Sequence, residues 1–147
     1  DWVYRLKQVS PELTIVVNGG IDSVAAVKDH LRHVDGVMLG RAAYHTPWLL
    51  AECQQQLFDG QTLTTREDVI ESMNEYLENQ QSRGVAVKHI SRHLLGLFQG
   101  LPGARAWRRY LSENAFRDDH NTELLNQALG AMKGATGKSR YLEATPL

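Results

Sequence analysis

One cysteine, Cys53, stands in the 147 residues, which excludes an internal disulfide and any paired-cysteine metal motif. No apolar run approaches the ~18 residues that a membrane-spanning helix needs, and no signal peptide is visible. A cytoplasmic setting without a membrane is therefore expected. Acidic residues are missing from the whole stretch Gly84 to Ser112, where Lys88, Arg92, Arg105, Arg108 and Arg109 give +5. The stretch before it, Asp59 to Arg83, holds Asp59, Glu67, Asp68, Glu71, Glu75 and Glu78 against Arg66 and Arg83, a balance of −4. A net charge of −1 conceals this split. It suggests a polyanionic partner for the basic part, although two solvated helix faces would give the same counts.

Two short apolar runs that end in glycine are present. Leu13 to Val17 is a β-branched run of the kind found in buried parallel strands, and it leads into Asn18-Gly19-Gly20. Asp22 or Ser23 can cap the next helix, which carries Val24, Val27 and Leu31 toward the sheet. Val34 to Leu39 is the second strand and leads into Gly40-Arg41. The connection is long enough for a helical crossover, so the strands are expected to be parallel. Ahead of them, Asp1 to Gln8 reads as the tail of a helix with Val3 and Leu6 on one side, stopped by Pro11. Two strand-to-helix turns one helix apart match the last two units of a (β/α)8 barrel, where the loops after strands 7 and 8 commonly hold a phosphate.

The rest is helical in pattern. Arg41 to Tyr44 starts a short helix, and Pro47 starts another that runs through Trp48 to Phe58. Asp59-Gly60 is a turn and the expected domain boundary, followed by a polar link from Gln61 to Thr65. Thr64 with Glu67 has capping-box spacing, and Val69, Ile70, Met73, Tyr76 and Leu77 form one stripe. A helix over Ala86–Phe98 turns Ile90, Leu94, Leu97 and Phe98 inward and Lys88 and Arg92 outward. Gly100 to Gly103 is a tight loop. Two more helices follow, Ala104 to about Ser112, and Asn121 to Met132 with Leu124, Leu125, Ala128, Leu129 and Met132 inward. The expected architecture is α/β plus all-α: the last two βα units of a barrel over 1–60, a helical bundle over 61–133, and a mobile tail over 134–147.

Asn18, Gly19 and Gly20 form a turn where bare backbone can approach an anion ahead of a helix. Gly40 and Arg41 repeat this and add a permanent cation suited to bidentate phosphate contact. A turn that simply needs glycine, and a surface arginine, are the plain alternatives. Arg105, Arg108 and Arg109 lie at i, i+3 and i+4 and share a helix face, with Trp107 and Leu111 on the other. Together with Lys88 and Arg92 they suit the backbone of a nucleic acid. Tyr110 suits either base stacking or the edge of the core. His89 and His93 have metal-ligand spacing but lack a third ligand, so no metal site is expected. Cys53 reads as a partly buried thiol with no activating base. Gly134 to Ser139 imitates the end of a P-loop, yet its first glycine is misplaced and no strand precedes it.

Taken together, Asp1-Trp2-Val3-Tyr4-Arg5-Leu6, Val17-Asn18-Gly19-Gly20-Ile21, Gly36-Val37-Met38-Leu39-Gly40-Arg41-Ala42-Ala43-Tyr44, His93-Leu94-Leu95-Gly96-Leu97-Phe98 and Pro102-Gly103-Ala104-Arg105-Ala106-Trp107-Arg108-Arg109 resemble the tRNA-dihydrouridine synthases, most closely their A subfamily. The resemblance runs to about Met132. It implies an FMN enzyme that uses NADPH to reduce a uridine of the tRNA D-loop, at 20/20a. It also implies that Asn18, Gly19, Gly20, Gly40 and Arg41 hold the FMN phosphate and that the helical bundle cradles tRNA. The implied reaction is hydride transfer to the uracil ring, with a cysteine as proton donor and the base flipped from its stack. Cys53 follows the last strand and does not match that cysteine, which the resemblance places in the first half of the barrel. A complete barrel runs to ~250 residues, so roughly 180 residues are expected ahead of Asp1. The complete protein is expected to be monomeric, and the chain alone to be inactive. Another FMN barrel oxidoreductase shares the two glycine turns but leaves the acid-free helices unexplained. A non-catalytic RNA-binding helical module is the third reading.

Overall fold

A lysine and an aspartate set where the strands begin. Lys7, on α1 (Trp2–Val9), donates to the carbonyls of Pro11 and Leu13 at 2.9 and 2.8 Å and pairs with Asp35 at 2.8 Å. The Asp35 carboxylate accepts the Ile15 N–H at 2.8 Å, while the Asp35 N–H donates to the Ile15 carbonyl at 3.0 Å. With Leu13 and Ile15 engaged by side chains, β1 covers Val16–Asn18, later than the expected Leu13 to Val17. β2 covers Gly36–Met38, inside the expected span. The strands are parallel, with Val16 opposite Gly36, Val17 opposite Val37 and Asn18 opposite Met38. The structure, a computed structural model, describes residues 2–58, 64–117 and 121–136, and the chain forms two units, Asp1–Thr62 and Leu63–Leu147.

In the first unit, only Val17 of β1 is buried, so the expected continuous burial is replaced by alternation. α2 (Val24–His30) makes the crossover, and the Ser23 hydroxyl caps it by accepting the Ala26 N–H at 3.3 Å. Val24 and Val27 pack with Val17, Ile21, Val34, Leu49 and Cys53. Leu31 is exposed because the helix ends one residue earlier, and Leu6 is exposed as well. Tyr4 joins α1 to α2 instead: its hydroxyl is hydrogen-bonded to His30 Nδ1 at 2.6 Å, and its ring stacks on His33 at 4.4 Å. α3 (Arg41–His45) extends one residue past Tyr44. α4 (Trp48–Leu57) buries Leu49 and Cys53 and receives a 2.8 Å hydrogen bond from Lys28 to Gln56.

Among the described residues, the regular elements of the second unit are all helices. α5 (Arg66–Gln81) begins one residue later than Thr64 and Glu67 imply. Thr65 is the cap: its hydroxyl accepts the Asp68 N–H at 3.1 Å, and the Thr65 N–H donates to the Asp68 carboxylate at 2.7 Å. Ile70 and Leu77 are buried, while Tyr76, at the stripe's edge, is exposed. The expected helix over 86–98 is interrupted. α6 covers Val87–Ser91, a 3-10 turn covers Arg92–Leu94, and turns continue to Gly100. The Leu94 carbonyl accepts the Leu97 N–H at 3.1 Å and the Trp107 indole N–H at 2.9 Å, and the Leu97 carbonyl accepts from Arg66 at 3.1 Å. These donors replace the next α-helical bonds and favour the tighter geometry. Leu94 is accordingly half-buried.

α7 (Ala104–Asn114) runs past the expected Ser112 and buries Ala104, Trp107 and Leu111. It packs on α8 (Leu124–Thr136), which starts later than Asn121 and buries Leu124, Leu125, Ala128 and Met132; Leu129 is half-buried. Phe98 meets Trp107 edge to face at 4.7 Å. Gly134 to Thr136 belong to α8 rather than to a tail, and 137–147 lie outside the described residues. Among the described residues, no helix is long and apolar enough to cross a membrane.

Candidate functional site

The strand register brings the two glycine turns to one edge. Asn18 and Met38 are paired residues at the carboxy ends of neighbouring parallel strands. Gly19-Gly20 and Leu39-Gly40 therefore leave the sheet side by side, as expected for turns at the carboxy end of a parallel sheet. Asn18, Gly19, Gly20, Gly40 and Arg41 are all exposed. Gly20 has φ +65, a left-handed conformation that glycine adopts without strain. A Cβ added at Gly19 or Gly20 would meet nothing within 4 Å, so the backbone there lies open. Arg41 is the first residue of α3, and the first turns of α2 and α3 contain no acid. Asp22, the nearest carboxylate in sequence, is exposed. An open glycine backbone beside a permanent cation fits a phosphate group.

Three arginines of the second unit lie on α7, and two further cations line a cleft. Arg105 and Arg109 are exposed and Arg108 is half-buried, with the Arg108 guanidinium hydrogen-bonded to the Gln99 side chain. Trp107 and Leu111 face the core. Lys88, half-buried, and Arg92, exposed, line a cleft of about 230 Å³ together with Ser112 and Phe116. Arg92 Nε donates to His93 Nε2 at 3.1 Å. Tyr110 is half-buried and its hydroxyl donates to Gln127 at 3.1 Å, which makes it an interhelical tie at the edge of the core.

Cys53 is buried. Burial, followed by the Glu52 charge, pushes its thiol pKa up, which disfavours the reactive thiolate. His89 and His93 are exposed. Among the described residues no three His, Cys, Asp or Glu side chains gather as metal ligands.

The family model for dihydrouridine synthase matches residues 1–133. The chain belongs to the dihydrouridine synthase family. Proteins described as tRNA-dihydrouridine(20/20a) synthase match it from Vibrio vulnificus (48% identical over 127 residues) and Salmonella typhi (50% over 128). Another comes from Haemophilus ducreyi, 52% identical over 128 residues. Each alignment covers 86% of this chain, and the chain spans only 39–40% of the length of these relatives. For this member of the family, the feature that sequence reasoning overlooked is Phe116. It is 73% exposed and lines the cleft with Lys88 and Arg92. Its signal was weak: Ser112 continues the Arg105–Arg108 face at a four-residue step, and Phe116 follows in the turn just past the end of α7.

Proposed function

We propose that the chain supplies the last two βα units and the helical tRNA-binding domain of a cytoplasmic, flavin-dependent tRNA-dihydrouridine synthase. The proposed activity is NADPH-dependent reduction of uridine 20/20a in the D-loop. The observation that carries this reading is the pairing of Asn18 with Met38, which brings the two glycine turns together at the carboxy end of the sheet, with the backbone open at Gly19 and Gly20. In this reading Gly19, Gly20 and Gly40 offer backbone donors to the FMN phosphate, Asn18 adds a polar side chain, and Arg41 supplies the positive charge. The flavin, when bound and reduced by NADPH, supplies the hydride for the uracil ring. Arg105, Arg108 and Arg109, with Lys88 and Arg92, neutralise RNA phosphates and hold the tRNA while the target base is presented. The relatives, described as tRNA-dihydrouridine(20/20a) synthases, and the acid-free stretch Gly84 to Ser112 support tRNA as the substrate.

The test uses the complete protein that contains this chain. It is incubated with FMN, NADPH and an unmodified tRNA transcript, and the D-loop is read by mass spectrometry. A gain of two hydrogens on the uridine at 20 or 20a is expected. An unmodified D-loop after prolonged incubation with flavin-loaded protein would overturn the reading.

A further inference from the structure

The cleft beside α6 and α7 combines features that a plain phosphate-binding surface does not require. Leu95, Leu111 and Ala115 give it apolar lining. Lys88 and Arg92, one helical turn apart, contribute cations, and Ser112 and Phe116 contribute a hydroxyl and an aromatic ring. Among the described residues no carboxylate lines it. Phe116 lies just past the end of α7 and is 73% exposed, so its ring does little for the core and is open to a ligand. At about 230 Å³, the cleft is smaller than the ~300–1,000 Å³ pockets that enclose drug-sized ligands. One ring system fits that size; a dinucleotide cofactor does not.

An apolar lining disfavours a bare anion, which loses its hydration there without enough donors in return. Two cations disfavour a neutral hydrocarbon. A flat ring attached to a phosphate satisfies both, and proteins hold single-stranded nucleic acid by pairing aromatic faces with cationic grooves. We propose that this cleft receives one unstacked nucleotide of the RNA, its base against Phe116 and its phosphate on Lys88 and Arg92. The inference rests on the tRNA reading above and assigns a second, non-reacting nucleotide to a pocket of its own. Arg105, Arg108 and Ser112 follow one another on α7 at three- and four-residue steps, and Ser112 lines the cleft, so the arginine face leads along the RNA backbone toward it.

The experiment measures binding of a fluorescently labelled, unmodified tRNA transcript to the full 147-residue chain across a salt series. Phe116→Ala is expected to weaken binding about ten-fold, the scale of one lost base–aromatic stack, with the salt slope unchanged. Phe116→Tyr, which keeps a ring face, should retain the parent affinity. Arg92→Gln should lower affinity and reduce the salt slope by about one. Helical circular dichroism and Tm matching the parent confirm that the variants fold, and Arg92→Gln remains informative should Phe116→Ala unfold. Arg105→Glu with Arg108→Glu serves as the reference for the tRNA reading itself. If that double variant weakens binding while Phe116→Ala stays within two-fold of the parent, the cleft inference is wrong and the tRNA reading stands. If Phe116→Tyr loses as much as Phe116→Ala, stacking is wrong. If the double variant binds like the parent, the tRNA reading falls and takes this inference with it.

Discussion

Single substitutions test the phosphate contact proposed for Arg41 and the helix cap at Gly103. Arg41 is exposed at the start of α3, so its replacement costs little packing and reads directly on anion binding. Arg41→Ala in the complete protein is expected to weaken FMN binding about ten-fold or more, the worth of a charge-assisted hydrogen bond. Flavin fluorescence titration measures it, and an unchanged affinity removes Arg41 from the phosphate site. Gly103 caps α7 with φ +81. A Cβ there would lie 2.8 Å from Met132 Cγ, 2.9 Å from the Met132 carbonyl oxygen and 2.9 Å from Thr136 Cγ2. Gly103→Ala therefore adds backbone strain to a clash against α8 and should destabilise the helical unit by about 1–3 kcal/mol. Urea unfolding followed by Trp107 emission checks this; a midpoint within error of the parent would show that α8 yields without cost.

Elements are held by polar ties as much as by apolar stripes. Thr65→Ala removes the α5 cap and is expected to cost about 1 kcal/mol, read as a lower Tm; Thr64→Ala should leave it unchanged. The β1–β2 pair depends on Asp35. The Ile15 N–H, then Lys7, hold its carboxyl pKa below the usual carboxylate range. Folding therefore favours the ionised form: its stabilisation is complete above the ordinary carboxylate pKa and is lost as pH falls toward the lower folded value. Asp35→Asn should lower Tm at neutral pH and flatten its decline as the pH falls below the ordinary carboxylate range. An unaltered acid limb would rule out Asp35 as its source. These ties also mark where the sequence was legible. Val17, Val24 and Val27 are buried as their spacing requires, and the parallel pairing followed from the length of the crossover. Thr64/Glu67 and Thr65/Asp68 have the same spacing, so periodicity alone could not choose the cap. The break after Ser91 depends on donors from Arg66 and Trp107, distant in sequence, which no local pattern reveals. The turn residues of the proposed phosphate site were named from glycine placement, whereas the cleft needed two separate segments and an exposed Phe116 beyond the expected helix end.

At the scale of the molecule, the two units differ in how much apolar surface they leave uncovered. The first exposes Trp2, Val9, Val16, Met38 and Phe58 around a sheet of two strands among the described residues. Open strand edges and apolar faces invite pairing with further copies. The chain on its own is expected to self-associate with rising concentration, and Val16→Lys, at a position 56% exposed, should shift it toward monomer in sedimentation velocity. A parent that stays monomeric at high concentration would show that these faces are inert. The second unit buries its largest side chain completely: Trp107 has 0% exposure, whereas Trp2 in the first unit has 83% and Trp48 is half-buried. That contrast gives the protein an optical label in each half. With Trp48 replaced by Phe, iodide is expected to quench the red-shifted emission of Trp2 and spare the blue-shifted emission of Trp107, so one cuvette can follow the melting of the helical unit separately from events at the sheet.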